Sequence, residues 1–188
     1  MLDALLQFDK HLFHIVNHDW TNPFFDAVMP WLRNARSWIP LYLLIAAFCL
    51  YRYHKVGILI ILGIALSAGV ADFTSARFIK PLVNRDRPCQ DPVVSKTDIL
   101  RVACGTGKSF PSTHATDHFA MAFFMIFLFF GLWRWILLWG VLWAGSISFA
   151  QVYVGVHYPL DVFCGMLYGL LVGWLISLLF KKLQPFFK

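Results

Sequence analysis

At 188 residues, 59% hydrophobic and only 14% charged, the chain is too apolar for a water-soluble domain. Eight Trp and nineteen Phe suit a bilayer and its interfaces, so the membrane is the first expected partner. The net charge of +6 does not point to nucleic acid, because outside one central loop the cations sit at the ends of apolar runs. All ten acidic residues are Asp, which leaves few candidates for carboxylate chemistry.

Residues 1–34 read as two interfacial amphipathic helices. In the first, Leu5, Phe8, Leu12, Phe13 and Val16 recur at helical spacing, with Asp9, Lys10, His14 and Asn17 elsewhere on the wheel. Asn22-Pro23 opens the second, which runs to about Leu32. The charges at Asp3, Asp9, Lys10 and His14 argue against a cleavable signal peptide. Candidate spans follow at Ser37–Tyr53, Val56–Ile79, His114–Leu132, Trp135–Tyr153 and Pro159–Phe180. The expected fold class is all-α: a polytopic membrane helical bundle of five to six transmembrane helices in one domain, 1–188. Alternation puts Arg52, Lys55, Arg134, Lys181 and Lys182 on one side, which the positive-inside rule makes cytoplasmic. The loop 80–113 and His157 then share the extracytoplasmic face.

That loop holds Lys80, Arg85, Arg87, Lys96, Arg101 and Lys108 against Asp86, Asp91 and Asp98. Pro81, Pro88 and Pro111 stiffen it, and it ends in Ser112-Thr113-His114 where a helix should begin. Free N–H groups, a hydroxyl and nearby cations suit a phosphate group. A solvated basic loop is the bland alternative. Cys89 and Cys104 lie in the loop on the oxidising side, so a disulfide between them is expected. Closing that loop contributes about 3 kcal/mol in the chain-entropy model. No zinc-type cysteine pairing is present.

A second constellation is Gly155-Val-His157-Tyr-Pro-Leu-Asp161. Pro159 starts a helix, and Asp161, one turn past His157, can reach back to the imidazole Nδ1. A carboxylate there fixes the tautomer and makes the other nitrogen more nucleophilic. His114 opens another span on the same face. Two histidines, a carboxylate and a nest of cations fit phosphoryl transfer. His114 and His118 could instead face a metal, but no third ligand is evident. A transporter would carry charge through its spans rather than at one face.

Lys80-x6-Arg87-Pro88, then Pro111-Ser112-Thr113-His114, then His157-x3-Asp161 resembles the three-part signature of the type 2 phosphatidic acid phosphatase superfamily. The chain resembles its small bacterial membrane branch, which includes undecaprenyl-diphosphate, phosphatidylglycerophosphate and lipid A phosphatases. The resemblance implies a bacterial inner-membrane enzyme with its site facing the periplasm and neither cofactor nor metal. Lys80, Arg87, Ser112 and Thr113 would hold phosphate. His157, oriented by Asp161, would attack phosphorus, and His114 would protonate the leaving oxygen. The lipid phosphate or prenyl diphosphate, undecaprenyl diphosphate being the first choice because it is a common task for short enzymes of this family, would enter from the bilayer. A lipid phosphotransferase and an inactive lipid-phosphate binder remain alternatives. Two positions depart from the pattern. Thr113 stands where the family has Gly, and Ala150-Gln151 stands where it has Ser-Arg. A phosphate-binding arginine is thus missing at Gln151, and Arg101, Arg85 or Lys108 is expected to substitute, Arg101 foremost.

Overall fold

In the computed structural model, which describes residues 2–184, every regular element among the described residues is helical. Helix α1 (Leu2–His14) continues into a wider π turn at Ile15–Asp19, and α2 spans Pro23–Leu32. The Asn22 side-chain oxygen caps α2 by accepting from the Phe25 N–H at 2.9 Å. The faces of α1 are partly the reverse of the amphipathic expectation. Leu5 and Phe8 are exposed, whereas Asp9, Phe13 and Asn17 are buried. The protein-facing side carries polar groups with dedicated partners, and apolar Leu5 and Phe8 are left for lipid.

Helix α3 (Ile39–Thr74) reverses direction at His54, whose φ is 49° and ψ −119°. The arms 39–53 and 55–74 touch backbone to backbone: a Cβ on Gly57 would lie 2.1 Å from the Cys49 carbonyl oxygen. The two spans expected from sequence therefore form a tight hairpin. A π turn at Ser75–Ile79 leads into the short α4 (Lys80–Val83), closed by Asn84 in the left-handed region at φ 51°. The loop to residue 112 has only two 3-10 turns, Pro88–Gln90 and Val94–Lys96. The structure joins Cys89 to Cys104 across it, with Cα atoms 6.1 Å apart.

Three helices complete the bundle: α5 (Thr113–Phe129), α6 (Ile136–Tyr153) and α7 (Pro159–Leu183). Helix α5 is central, packed against α7 most extensively and against α3 and α6. Its contact with α7 rests on Gly165, Gly169 and Gly173, spaced one turn apart. A Cβ on Gly169 would fall 2.5 Å from the Thr116 carbonyl oxygen, and one on Gly173 2.6 Å from that of Ala120. Lipid gives helices no hydrophobic reason to associate, so close backbone approach must supply the van der Waals contact. Among the described residues three helical stretches are long and apolar enough to cross a membrane: Ala35–Val83, Ile136–Tyr153 and Pro159–Leu183.

The N-termini of α5 and α7, the C-terminus of α6, α4 and the α1–α2 segment meet at one end of the bundle. At the other end Cys49, Tyr53, Val56, Phe129 and Phe180 pack together beneath the α3 reversal.

Candidate active site

His157 sits on a five-residue elbow between α6 and α7, and the chain around it is held by its carbonyls. The Tyr153 carbonyl accepts from Asn17 Nδ2 and from Arg101 Nη1, each at 2.9 Å. The Val154 carbonyl accepts from the Arg101 N–H, and that of Val156 from Arg87 Nη1. Gly155 has φ 89°, and a Cβ there would strike the Asp98 carboxylate at 2.3 Å, so the turn requires glycine. Burial pushes the Asp98 carboxyl up to about 7, with Arg101 opposing.

Within this frame the tautomer of His157 is set from both sides. Arg87 Nη1 lies 3.1 Å from His157 Nε2. A guanidinium only donates, so Nε2 carries the lone pair and Nδ1 the proton. Nδ1 faces Asp161 Oδ2 at 3.5 Å, a contact at the long limit for a hydrogen bond. Burial holds the His157 pKa down at about 4; Asp161 works against that shift and Arg87 adds to it. The imidazole is therefore neutral at neutral pH.

Asp161 belongs to a longer chain of charge. Its Oδ2 accepts from the Tyr158 N–H at 2.8 Å, and its Oδ1 from Arg85 Nη1 at 2.9 Å. The other nitrogen of Arg85 bonds Asp9 at 2.5 Å, and Asp9 accepts in turn from the Leu160 N–H. Burial alone would depress Arg85; Asp161 and Asp9 outweigh it and raise its pKa. The carboxylate behind the histidine is thereby pinned to α1.

A cavity of about 340 Å³ opens in front of His157. Arg33, Ala35, Arg87, Gly105, Thr113, His114, Asp117, His118, Gln151 and His157 line it. Five residues anticipated from the motifs thus meet here: Arg87, Thr113, His114, Gln151 and His157. Ser112 lies behind them at the α5 N-cap, where its Oγ is buried with no partner and its N–H donates to the Asp161 carbonyl. Lys80 stands beside the cavity rather than in its lining, and its Nζ donates to the Lys108 and Pro111 carbonyls at 3.0 and 2.8 Å. His118 gives its Nδ1 proton to the His114 carbonyl and accepts from the Tyr42 hydroxyl at Nε2. Both its nitrogens therefore have protein partners.

The expected substitutes for the missing arginine are elsewhere. Arg101 is bound to Asp26, Thr21 and the elbow carbonyls, with its guanidinium over the Tyr153 ring. Arg85 is spent on Asp9 and Asp161, and Lys108 on Asp86. None of the three lines the cavity, because each has a carboxylate closer at hand. Arg33 does line it, and nothing in the motif spacing pointed there. Asp9 was also missed. Its signal was present: an acid in the helical stripe 5-9-13 among apolar positions.

The chain belongs to the PAP2 superfamily, whose family model matches residues 56–185. It is 34% identical to lipid A 4'-phosphatase of Bacteroides thetaiotaomicron over 97% of this chain and 81% of that protein. It is 29% identical to undecaprenyl-diphosphatase of Sulfolobus acidocaldarius over 89% of this chain and 76% of the other. Among solved structures, Aquifex aeolicus LpxE superposes with a TM-score of 0.65 at 27% identity, covering 89% of this chain and 93% of its own. The protein is a multi-pass membrane phosphatase acting on lipids.

Proposed function

We propose that the enzyme removes the phosphate monoester from a lipid A-type glycolipid through a phosphohistidine on His157. The observation that carries the mechanism is the pairing at His157: a neutral imidazole with its Nε2 lone pair beside Arg87 and its Nδ1 proton toward Asp161. In the reaction Nε2 attacks phosphorus and the phosphorus–oxygen bond to the lipid breaks. His114, which takes up a proton as the substrate phosphate binds beside it, gives that proton to the leaving oxygen and is left as a neutral imidazole. A water molecule, deprotonated by His114, then releases phosphate from Nε2. Arg87 and the N–H groups at the start of α5 balance charge on the equatorial oxygens. Lys80 fixes the loop against α5 and adds positive potential. The reaction so written uses only side-chain and backbone groups, and His118 is already bonded to the His114 carbonyl and the Tyr42 hydroxyl.

The choice of lipid rests on likeness. The lipid A 4'-phosphatase relative shares more identity over more of this chain than the undecaprenyl-diphosphatase relative does. Undecaprenyl diphosphate, the base-rate expectation, becomes the second reading, favoured by the latter relative. We place five crossings in the membrane, the arms of α3 counting as two, with the active site on the periplasmic side of the inner membrane. Purified protein should release phosphate from lipid A faster than from undecaprenyl diphosphate, phosphatidylglycerophosphate or phosphatidic acid, equally well in EDTA. A faster prenyl diphosphate reaction would reverse the order of the two readings. Phosphate transfer to a second lipid without release would make it a phosphotransferase.

A further inference from the structure

Gln151 is fully buried, and neither its amide oxygen nor its amide nitrogen has a partner. A buried amide without hydrogen bonds is costly to keep unless something binds it. Arg33, at the C-terminal end of α2, lines the same cavity with its Nε buried and unpartnered. Among the described residues Arg33 makes no ion pair, and neither does Arg87, which donates to two carbonyls and to His157. Two guanidinium groups without an ion-pair partner thus face one cavity, Asp161 acting on Arg87 only at a distance. They feel each other: Arg87 has a lowered pKa, mainly from burial and in part from Arg33. Against them the lining sets one carboxylate, Asp117. Such an arrangement is stable when a compact anion bridges the cations.

We propose that Arg33 is a phosphate-binding residue of this enzyme, and that Arg33 and Gln151 together replace the arginine the family motif would place at 151. The idea rests on the cavity taking the substrate phosphate. An arginine at 151 would sit against Arg33, whereas an amide leaves it room and offers a hydrogen bond to the same oxygens. The cation therefore comes from the interfacial helix rather than from α6. Helix α2 is seated by Met29 in the core, Phe25 against the Tyr153 ring and Asp26 accepting from the Tyr153 hydroxyl at 2.8 Å. Binding of phosphate then depends on that seating.

The test uses the full chain in detergent micelles with orthovanadate as probe, its binding read by calorimetry and by inhibition of phosphate release from lipid A. Arg33→Ala should weaken vanadate binding about 10- to 100-fold, the range for a lost charge-assisted hydrogen bond. It should raise KM more than it lowers kcat. Arg33→Lys should lose less, since an ammonium keeps the charge without the fork. The double variant Arg33→Ala with Gln151→Arg should recover binding. Gln151→Arg alone, by crowding the resident cation, should bind vanadate no better than the native protein. The proposal is overturned if Arg33→Ala binds vanadate normally, or if the double variant stays as weak as the single one with an unchanged melting curve. Should Arg33→Ala not fold, Gln151→Arg alone decides: tenfold tighter binding would show the position was simply short of a charge. Failure of the phosphatase reading looks different, as native protein that neither binds vanadate nor releases phosphate.

Discussion

The central loop 80–112 and the N-terminal segment 1–34 contribute to the site in opposite ways. The loop is dense in cations, yet Arg85, Arg101 and Lys108 are held in ion pairs and only Arg87 enters the cavity. The N-terminal segment looks like a pair of membrane-surface helices. It supplies Asp9 behind the His157–Asp161 pair, Asn17 under the elbow and Arg33 in the cavity. Charge density in a sequence thus marks where ions are needed, whether for structure or for a ligand. Which of the two applies depends on whether a carboxylate is near, and that is a property of the fold.

The largest test of this division is at the elbow itself. His157→Ala should cut lipid dephosphorylation by about 10⁴-fold or more while leaving circular dichroism unchanged, because it removes the attacking atom. Retained turnover in that variant would end the covalent mechanism. Next comes the structural arginine. Arg85→Ala leaves Asp9 and Asp161 buried without a counter-charge, which should cost about 3–5 kcal/mol of stability in chemical unfolding. A stable Arg85→Ala protein with lost vanadate binding would move Arg85 from scaffold to ligand and blur the comparison. Reduction of the Cys89–Cys104 bridge should cost about 3 kcal/mol, read as a lower melting temperature, and the same melting curve with and without reductant would remove it from the scaffold. Arg101→Ala should lower the melting temperature by several degrees and leave vanadate inhibition as it was. Weaker inhibition there would restore Arg101 as the phosphate ligand and displace Arg33.

The remaining test concerns Asp98 under Gly155 and is spread over a pH range rather than read at one pH. Its folded pKa of about 7 lies above the usual 3.8, so between those values the folded state binds more protons than the unfolded one. Stability should therefore fall as pH rises from about 4 to 7. Asp98→Asn, neutral throughout, should flatten that slope by up to about 1.4 kcal/mol per pH unit, the limit for one titrating group. An unaltered slope would mean the carboxylate finds solvent.

Much of the fold was legible because apolar run length and the Asn22-Pro23 cap are local signals. The helix limits differ by a few residues at most, and the reversal at His54 falls where Arg52-Tyr-His-Lys55 interrupts the apolar run. Motif spacing likewise placed Arg87, His114 and His157 around one cavity, since each lies within a few residues of a helix start or a tight turn. The partners of the cations were not legible. Arg85 bonds residues 76 positions away in both directions, and Arg101 meets Asp26 across 75. No periodicity encodes such pairings. Arg33 escaped notice because it follows an amphipathic helix, where an arginine ordinarily faces water or lipid headgroups.

The glycine seam between α5 and α7 bears on how this enzyme could change its diet. His114 rides on α5 and Asp161 on α7, and at Gly169 and Gly173 the α7 backbone lies directly against the α5 backbone and the Cβ atoms of Phe119 and Phe123. His114 and the His157–Asp161 pair are thus welded at a fixed gauge. Selection for a bulkier or slimmer headgroup has to act on the other wall, at Arg33 and Ala35, where α2 meets α3. Lineages that switch lipids should accumulate their substitutions along that hinge and leave the seam untouched.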